Sequence, residues 1–328
     1  MTKTFSATST ADDVLSDVDL TGKRFLITGV SSGIGLETAR ALVSRGASVI
    51  GAVRDQAKAL SATAAMHQTA PQGGNLALIT LDLASLPSVY ACAERLLAEG
   101  QPFDAIIANA GVMATPFGMT VEGFERQLGT NFLGHFALIR QIASLLAANG
   151  RVVLLSSQAH RMADVDLDDP NFDQQTYDPW VAYGRSKTAM ALFAVEFDRR
   201  YRPRGMRAAS VMPGNSFTEL PRHLSPEDLQ TLFGNVAKAR AEDGLPPAEL
   251  KDISQAAATT VWATVVADNN EIGGLYLEDC AIAPVNDMPN PYADGVRSYA
   301  LNAERAQQLW TRSEEWLSAA LARSPGAV

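Results

Sequence analysis

Cysteine is almost missing from this chain. Its 328 residues include only two, Cys92 and Cys280, far apart in sequence. Two distant thiols supply neither a disulfide framework nor a metal-ligand spacing, and they fit a reducing compartment. Long apolar runs are missing as well: none approaches the roughly 18 residues that a membrane-spanning helix needs. The opening Met1-Thr2-Lys3-Thr4-Phe5, followed by small polar residues and Asp12-Asp13, has no apolar stretch like that of a secretory leader. Basic charge is in deficit, with 27 Lys and Arg against 36 Asp and Glu and a net charge of −9. A nucleic-acid binder normally carries a basic face, so that partner class is not expected. What remains is a cytoplasmic protein with neither membrane nor nucleic acid as partner. Any phosphate-bearing ligand must be held by local features, not by overall charge.

Hydrophobic residues make up 47% of the chain and charged ones 19%, enough apolar material for one large core. Short apolar runs at 24–28, 48–53, 76–81, 105–108, 151–156 and 206–212 read as buried strands. Helical patterns at 34–45, 86–99, 120–148 and 180–201 lie between them, and a last helix is expected at 303–322. Continuous apolar strands alternating with helices predict an α/β fold: a doubly wound parallel sheet covered on both faces, with a ligand crevice at the carboxyl ends of the strands. Residues 1–20 read as a flexible lead-in and 21–283 as the main domain. Within that domain the pattern weakens over 213–250, read as a substrate lid. Residues 284–328 read as a C-terminal extension, and the acidic stretch 164–173 as a solvated loop.

Thr28-Gly29-Val30-Ser31-Ser32-Gly33-Ile34-Gly35 joins the first strand to the first helix. Glycines allow a tight turn and let a pyrophosphate approach the backbone, while the helix start offers free N–H groups and partial positive charge. The strand-before, helix-after context is what separates such a motif from an ordinary glycine turn. Three residues separate Gly29 from Gly33, a spacing that resembles the short-chain dehydrogenase/reductase superfamily. An acid near the end of the second strand would bond the ribose hydroxyls of NAD. Val53 stands there instead, followed by Arg54, whose guanidinium can pair with the 2′-phosphate of NADP. Asp55 serves NAD if the strand ends one or two residues later, so NADP is favoured and NAD stays open.

Tyr183 and Lys187 are four residues apart at the start of a long helix, so they share a face. Hydride transfer makes or consumes an alkoxide, and a proton donor or acceptor must meet that oxygen. A free phenol titrates near 10 and is a poor base at neutral pH. A nearby ammonium and the positive nicotinamide ring would bring it into range.

The resemblance to the superfamily runs from about Leu20 to Cys280, with every motif in order. It implies a Rossmann-type fold and catalytic roles for Asn131, Ser157, Tyr183 and Lys187. Ser157 would donate to the substrate oxygen, leaving Ser156 as a strand-end residue, and Asn131 would hold a water in a proton relay through Lys187 and the ribose. It also implies a cofactor site of Gly29, Ser31, Ser32, Gly33, Ile34, Gly35, Arg54, Asp82, Leu83, Asn109, Ala110, Gly111, Tyr183, Lys187, Pro213, Gly214 and Thr218. For three of these residues a local structural reading stands alongside: Arg54 can be a solvated surface residue, Asp82 can cap the next helix instead of meeting the adenine, and Asn131 can serve a helix kink. Ala108 stands where the family pattern more often has a second Asn.

Asn131–Phe136 (Asn-Phe-Leu-Gly-His-Phe), Ser156–His160 (Ser-Ser-Gln-Ala-His) and Gly273–Tyr276 (Gly-Gly-Leu-Tyr) resemble the retinol-dehydrogenase-like and protochlorophyllide-reductase-like branch, many of whose members use NADP. His135 and His160 read as structural, and nothing near Cys280 points to a reactive thiol. Met162, Trp180, Phe217, Leu220 and Phe233 suit either an apolar pocket or ordinary core. The expected substrate is a small, moderately apolar alcohol, ketone or aldehyde, and no metal is expected. A homodimer or homotetramer through the helices at 120–148 and 180–201 is implied by the resemblance. A nucleotide sensor without turnover and a carbon–carbon double-bond reductase are the alternatives.

Overall fold

A computed structural model describes residues 4–69, 71, 73–216 and 225–323. Its frame is a sheet in the order β3-β2-β1-β4-β5-β6-β9-β10. The strands are β1 (Arg24–Thr28), β2 (Ser48–Val53), β3 (Asn75–Thr80), β4 (Phe103–Ala108), β5 (Leu146–Leu155), β6 (Arg207–Met212), β9 (Tyr276–Glu278) and β10 (Ala281–Ile282). Every pairing is parallel except β9 with β10. Side chains of β1 are buried along its whole length, as a strand covered on both faces requires, whereas outer β3 alternates. The strand order reverses between β1 and β4, and the crevice of a doubly wound sheet opens at that switch point.

Two apolar clusters cover the two faces. One gathers α1 (Ala11–Val14), α2 (Gly33–Val43), α3 (Gln56–Thr69) and α9 (Ile253–Val261). The other gathers α4 (Leu86–Glu99), the run α5 (Arg126–Leu128), π turn Gly129–Leu133 and α6 (Gly134–Ile142), then α7 (Pro179–Tyr201) and α10 (Ala303–Arg323). Above the carboxyl ends, β7 (Asn215–Ser216) pairs with β8 (Leu250–Lys251), and α8 (Pro226–Glu242) lies between them in sequence.

The six expected strands and the helices α2, α4, α7 and α10 lie close to where the sequence placed them, whereas α3 and α9 were not expected; the other departures have local causes. Residues 10–20 are not a free lead-in: a Thr10–Asp13 capping box starts α1, and Ala11, Val14 and Leu15 are buried in the α2–α9 face. The lid segment contains α8, opened by a Ser225–Asp228 capping box that its weak apolar periodicity hid. The single helix expected at 120–148 is broken by the π turn and ends before β5 begins at Leu146. The stretch 164–173 is not a merely solvated loop, because Asp169 is buried and accepts from the Asp173 and Gln174 N–H groups. Asp164, Asp166 and Asp168 pair with Arg305, Arg185 and Arg312.

The C-terminal helix closes the second cluster. Trp310 is 3% exposed, with its ring centroid 5.0 Å from Phe136 and 5.7 Å from Phe193. The Arg200 guanidinium covers the indole at 4.4 Å, and Arg140 pairs with Glu314 at 2.7 Å. The long helices therefore carry α10 on the side through which the resemblance implies a homodimer or homotetramer. Trp310→Ala should lower unfolding free energy by about 3–5 kcal/mol, as loss of a buried indole does, measured by urea titration. Trp310→Phe should cost far less, because the indole N–H is buried with no acceptor. Equal losses for the two variants would refute this account of the helix.

Candidate active site

The glycine loop and the Asn109-Ala110-Gly111 turn leave the ends of β1 and β4, the two strands flanking the switch point. Gly29 has φ +78°, and a methyl there would stand 2.9 Å from Ala110 Cβ. A methyl on Gly35 would collide with the Gly29 carbonyl oxygen and Asn109 Nδ2. Bare backbone is thus forced on the loop by close approach to its neighbours. Ser32 is the N-cap of α2 but makes no side-chain cap, and the first turn holds no acid. The first N–H groups of α2 stay available to an anion, which fits a dinucleotide pyrophosphate. Ser31, Gly33 and Ile34 are part-exposed along the same stretch.

Asn109 holds this floor together instead of reaching outward: Nδ2 donates to the carbonyls of Thr28 at 2.8 Å and Gly29 at 3.1 Å. Arg54 follows β2, is exposed, and pairs with no carboxylate among the described residues. Asp55 accepts the Lys58 N–H at 2.9 Å and so caps α3, which engages one of its carboxylate oxygens. Asp82 does not cap α4, where Ser85 is the N-cap. Its Oδ1 accepts from Ala84 N–H, and Leu83 is buried against Gly134. Pro213 and Gly214 follow β6, with the Lys251 side chain lying across Gly214 and paired to Asp279. Thr218, Phe217 and Leu220 lie outside the described residues.

Asp178 caps α7 by accepting from Trp180 N–H at 2.8 Å and Val181 N–H at 2.9 Å, with Pro179 at the first helical position. Tyr183 and Lys187 follow within the next two turns on one face. The Lys187 ammonium is 5.6 Å from the Tyr183 ring centroid and donates to the Leu155 carbonyl at 2.9 Å. Arg185, between them in sequence, turns the other way and covers the Phe172 ring. Ser157 starts a 3-10 turn (Gln158–Met162) at the end of β5, and its side chain, close to the Tyr183 phenol, exerts a lowering pull on it that is smaller than the effect of burial. Burial outweighs that pull and pushes the phenol up to about 12; burial also pushes Lys187 down to about 8. The expected lowering of the phenol by Lys187 is not what governs it here. Ser156 donates to the Lys187 carbonyl at 2.8 Å and clamps α7 to β5, as a strand-end residue should.

Asn131 lies in the π turn beside Gly111 and Lys187. Its Oδ1 accepts from Val112 N–H at 2.8 Å, and its Nδ2 donates to Val112 carbonyl and Ser186 Oγ, both at 2.9 Å. Both amide hydrogens are thereby committed, so Asn131 can offer a water only acceptor sites, on Oδ1 and on its main-chain carbonyl.

Contacts between residues far apart in sequence bring the extension to the site. His160 Nε2 accepts the Arg297 N–H at 3.1 Å, so its hydrogen sits on Nδ1, 2.8 Å from the Ser157 carbonyl. Tyr276 OH donates to that same carbonyl at 3.0 Å. Arg161 donates to the carbonyls of Asn286, Met288, Asn290 and Gly295, and Gln158 to those of Tyr292 and Ala293. From α8, Arg240 donates to the Tyr292 carbonyl and pairs with Asp294. Residues 286–297 thus bridge the Ser157 turn and the lid helix. Main-chain carbonyls are invisible to motif reading.

Comparison with known proteins identifies the family and the fold. The short chain dehydrogenase family profile matches residues 23–228. The short-chain dehydrogenase/reductase prx1 of Penicillium roqueforti is 37% identical over 322 residues, covering 95% of this chain and 91% of its own. A crystal structure of an uncharacterised protein from Mycobacterium paratuberculosis superposes with TM-score 0.69 at 32% identity, covering 95% of this chain and 98% of its own. The angucycline C-6 ketoreductase LanV, crystallised with bound NADP, gives TM-score 0.60 at 26% identity over 79% of this chain and 95% of its own. On fold, glycine loop and sequence alike, the chain belongs to the short-chain dehydrogenase/reductase family and is an oxidoreductase of that family.

Proposed function

We propose that the chain is an NADP(H)-dependent alcohol dehydrogenase or carbonyl reductase acting on a small, moderately apolar substrate. One observation carries the reading: Tyr183 and Lys187 are buried together on one helix face, the ammonium 5.6 Å from the phenol ring, with Ser157 at the strand end beside them. Bound NADPH supplies the hydride to the carbonyl carbon. Tyr183 gives its proton to the oxygen as the C=O π pair localises there, and Ser157 holds that oxygen by a hydrogen bond. Lys187 keeps two N–H groups beyond the Leu155 carbonyl with which to hold a ribose and stabilise the phenolate. A water on the Asn131 carbonyl returns the proton. In oxidation the same groups run in reverse.

NADP is favoured over NAD by the free Arg54 and by the cap that engages one Asp55 oxygen. LanV, with its bound NADP, lends support from a relative. Trp180, edge-on to Tyr183 at 6.4 Å, supports an apolar wall for the substrate. The absence of long apolar helices among the described residues is compatible with a cytoplasmic setting.

Arg54→Ala should raise the NADPH dissociation constant about 10- to 100-fold, the size of one lost charge-assisted pair, and leave NADH nearly unchanged. Fluorescence titration reads both; equal weakening of the two would refute the 2′-phosphate role. Tyr183→Phe should cut turnover on a carbonyl panel by about 10² or more with NADPH binding retained. Binding without any turnover by the wild type would point instead to a nucleotide sensor.

The proton step also has a pH signature. Reduction needs the protonated phenol, so its kcat/KM should fall as pH rises through the Tyr183–Lys187 titration, while oxidation rises over the same interval. Lys187→Met removes the cation that favours phenolate and should move both midpoints upward. An unmoved midpoint would remove Lys187 from the electrostatic role.

A further inference from the structure

Two of the four histidines lie buried beside this centre, and the mechanism above uses neither. His135 is fully buried on α6, four residues after Asn131. Its hydrogen-bond partners fix its protonation. Nδ1 is 2.8 Å from the Asn131 main-chain oxygen, which can only accept, so Nδ1 carries the hydrogen. Nε2 is 2.8 Å from Thr28 Oγ1. That hydroxyl oxygen already accepts the N–H groups of Asn109 at 3.0 Å and Ala110 at 2.9 Å. Its own hydrogen is the one left to give, and Nε2 receives it. The ring is neutral, with burial, and secondarily nearby Lys187, holding its pKa down to about 4.

One imidazole thus joins the root of the glycine loop to the backbone oxygen of Asn131. A carbonyl oxygen has two lone pairs, of which the imidazole takes one. We propose that His135 is a positioning residue for the reaction. Its Nδ1–H fixes the Asn131 carbonyl so that the second lone pair can serve the proton path from Lys187. Its Nε2 anchors that carbonyl to Thr28 and, through Thr28, to the floor of the cofactor cleft. The proposal rests on the Tyr183–Lys187 reading. A side chain held from both ends keeps its geometry through turnover, which is what a relay needs from its support.

The two arms can be separated. An asparagine amide reaches about where Nδ1 stands, and a glutamine amide about where Nε2 stands. His135→Asn keeps the donor to Asn131 and loses the Thr28 acceptor; His135→Gln does the reverse. We expect His135→Asn to keep kcat within about threefold and His135→Gln to lose about tenfold or more, the scale of one lost supporting hydrogen bond. NADPH dissociation constants should stay within about twofold of wild type in both, so that the loss appears in kcat and not in binding. The solvent deuterium isotope effect on kcat should rise in His135→Gln, because the proton step has become slower; a merely structural defect would leave it unmoved. Equal kcat in the two variants, or a loss in His135→Gln with an unchanged isotope effect, overturns the proposal.

A second measurement needs no turnover. Histidine-labelled protein with NADPH bound should show His135 by ¹⁵N NMR as the neutral Nδ1–H tautomer, untitrated from pH 9 down to about pH 5, well above its depressed pKa. An Nε2–H tautomer overturns the geometry outright. Wild-type turnover that Tyr183→Phe leaves intact would remove the Tyr–Lys reading and this role with it, and the tautomer result then shows that the hydrogen-bond geometry was not at fault.

Discussion

The Thr28 hydroxyl is the joint on which the site depends. It stands at the end of β1, accepts the Asn109 and Ala110 N–H groups from the end of β4, and gives its hydrogen to His135. Because β1 and β4 flank the point where strand order reverses, one oxygen sets the spacing between the glycine loop, the Asn-Ala-Gly turn and the helix that carries Asn131. Asn109 closes the same joint from the other side by donating to Thr28 and Gly29 carbonyls. Loss of the hydroxyl would leave two buried N–H donors and an imidazole acceptor without a partner, a cost well above that of one methyl's worth of packing.

From that joint the chemistry spreads outward through burial. Tyr183 and Lys187 are both removed from water, which raises one pKa and lowers the other, so the phenol is held neutral and the ammonium gives up its proton more readily than in water. In such a site an added charge acts at full strength, because little water is present to screen it. The same dryness explains the neutrality of His135 and His160, both pushed down to about 4 by burial. They serve as oriented dipoles and not as acids.

The residues beyond 284 contribute to the site and do not simply extend the chain. Arg161 and Arg240 reach carbonyls of one segment from opposite sides, one from the Ser157 turn and one from α8. Guanidinium forks suit this task because several donors leave one rigid plane. After that segment, α10 seals the apolar face of α6 and α7 through Trp310, so removing the extension would open both the site wall and the second core.

Local pattern determined a good deal. The β1, β2, α4 and α7 segments were legible because apolar runs, a strand–glycine–helix junction and helical apolar patterns are properties of neighbouring residues. The pairing of Tyr183 with Lys187 was legible for the same reason, since helical periodicity puts residues four apart on one face. Short α1, with its single capping box, and α8, with its weak periodicity, fell below that signal. Only the tertiary structure decided that Asn109 and the Asn131 amide face inward, that Asp55 is a cap, and that His135 and His160 are neutral donors through Nδ1. Each of those outcomes depends on a backbone carbonyl, N–H or hydroxyl brought up by packing. Every residue carries the same backbone groups, so sequence cannot say which of them will meet a given side chain; the fold does.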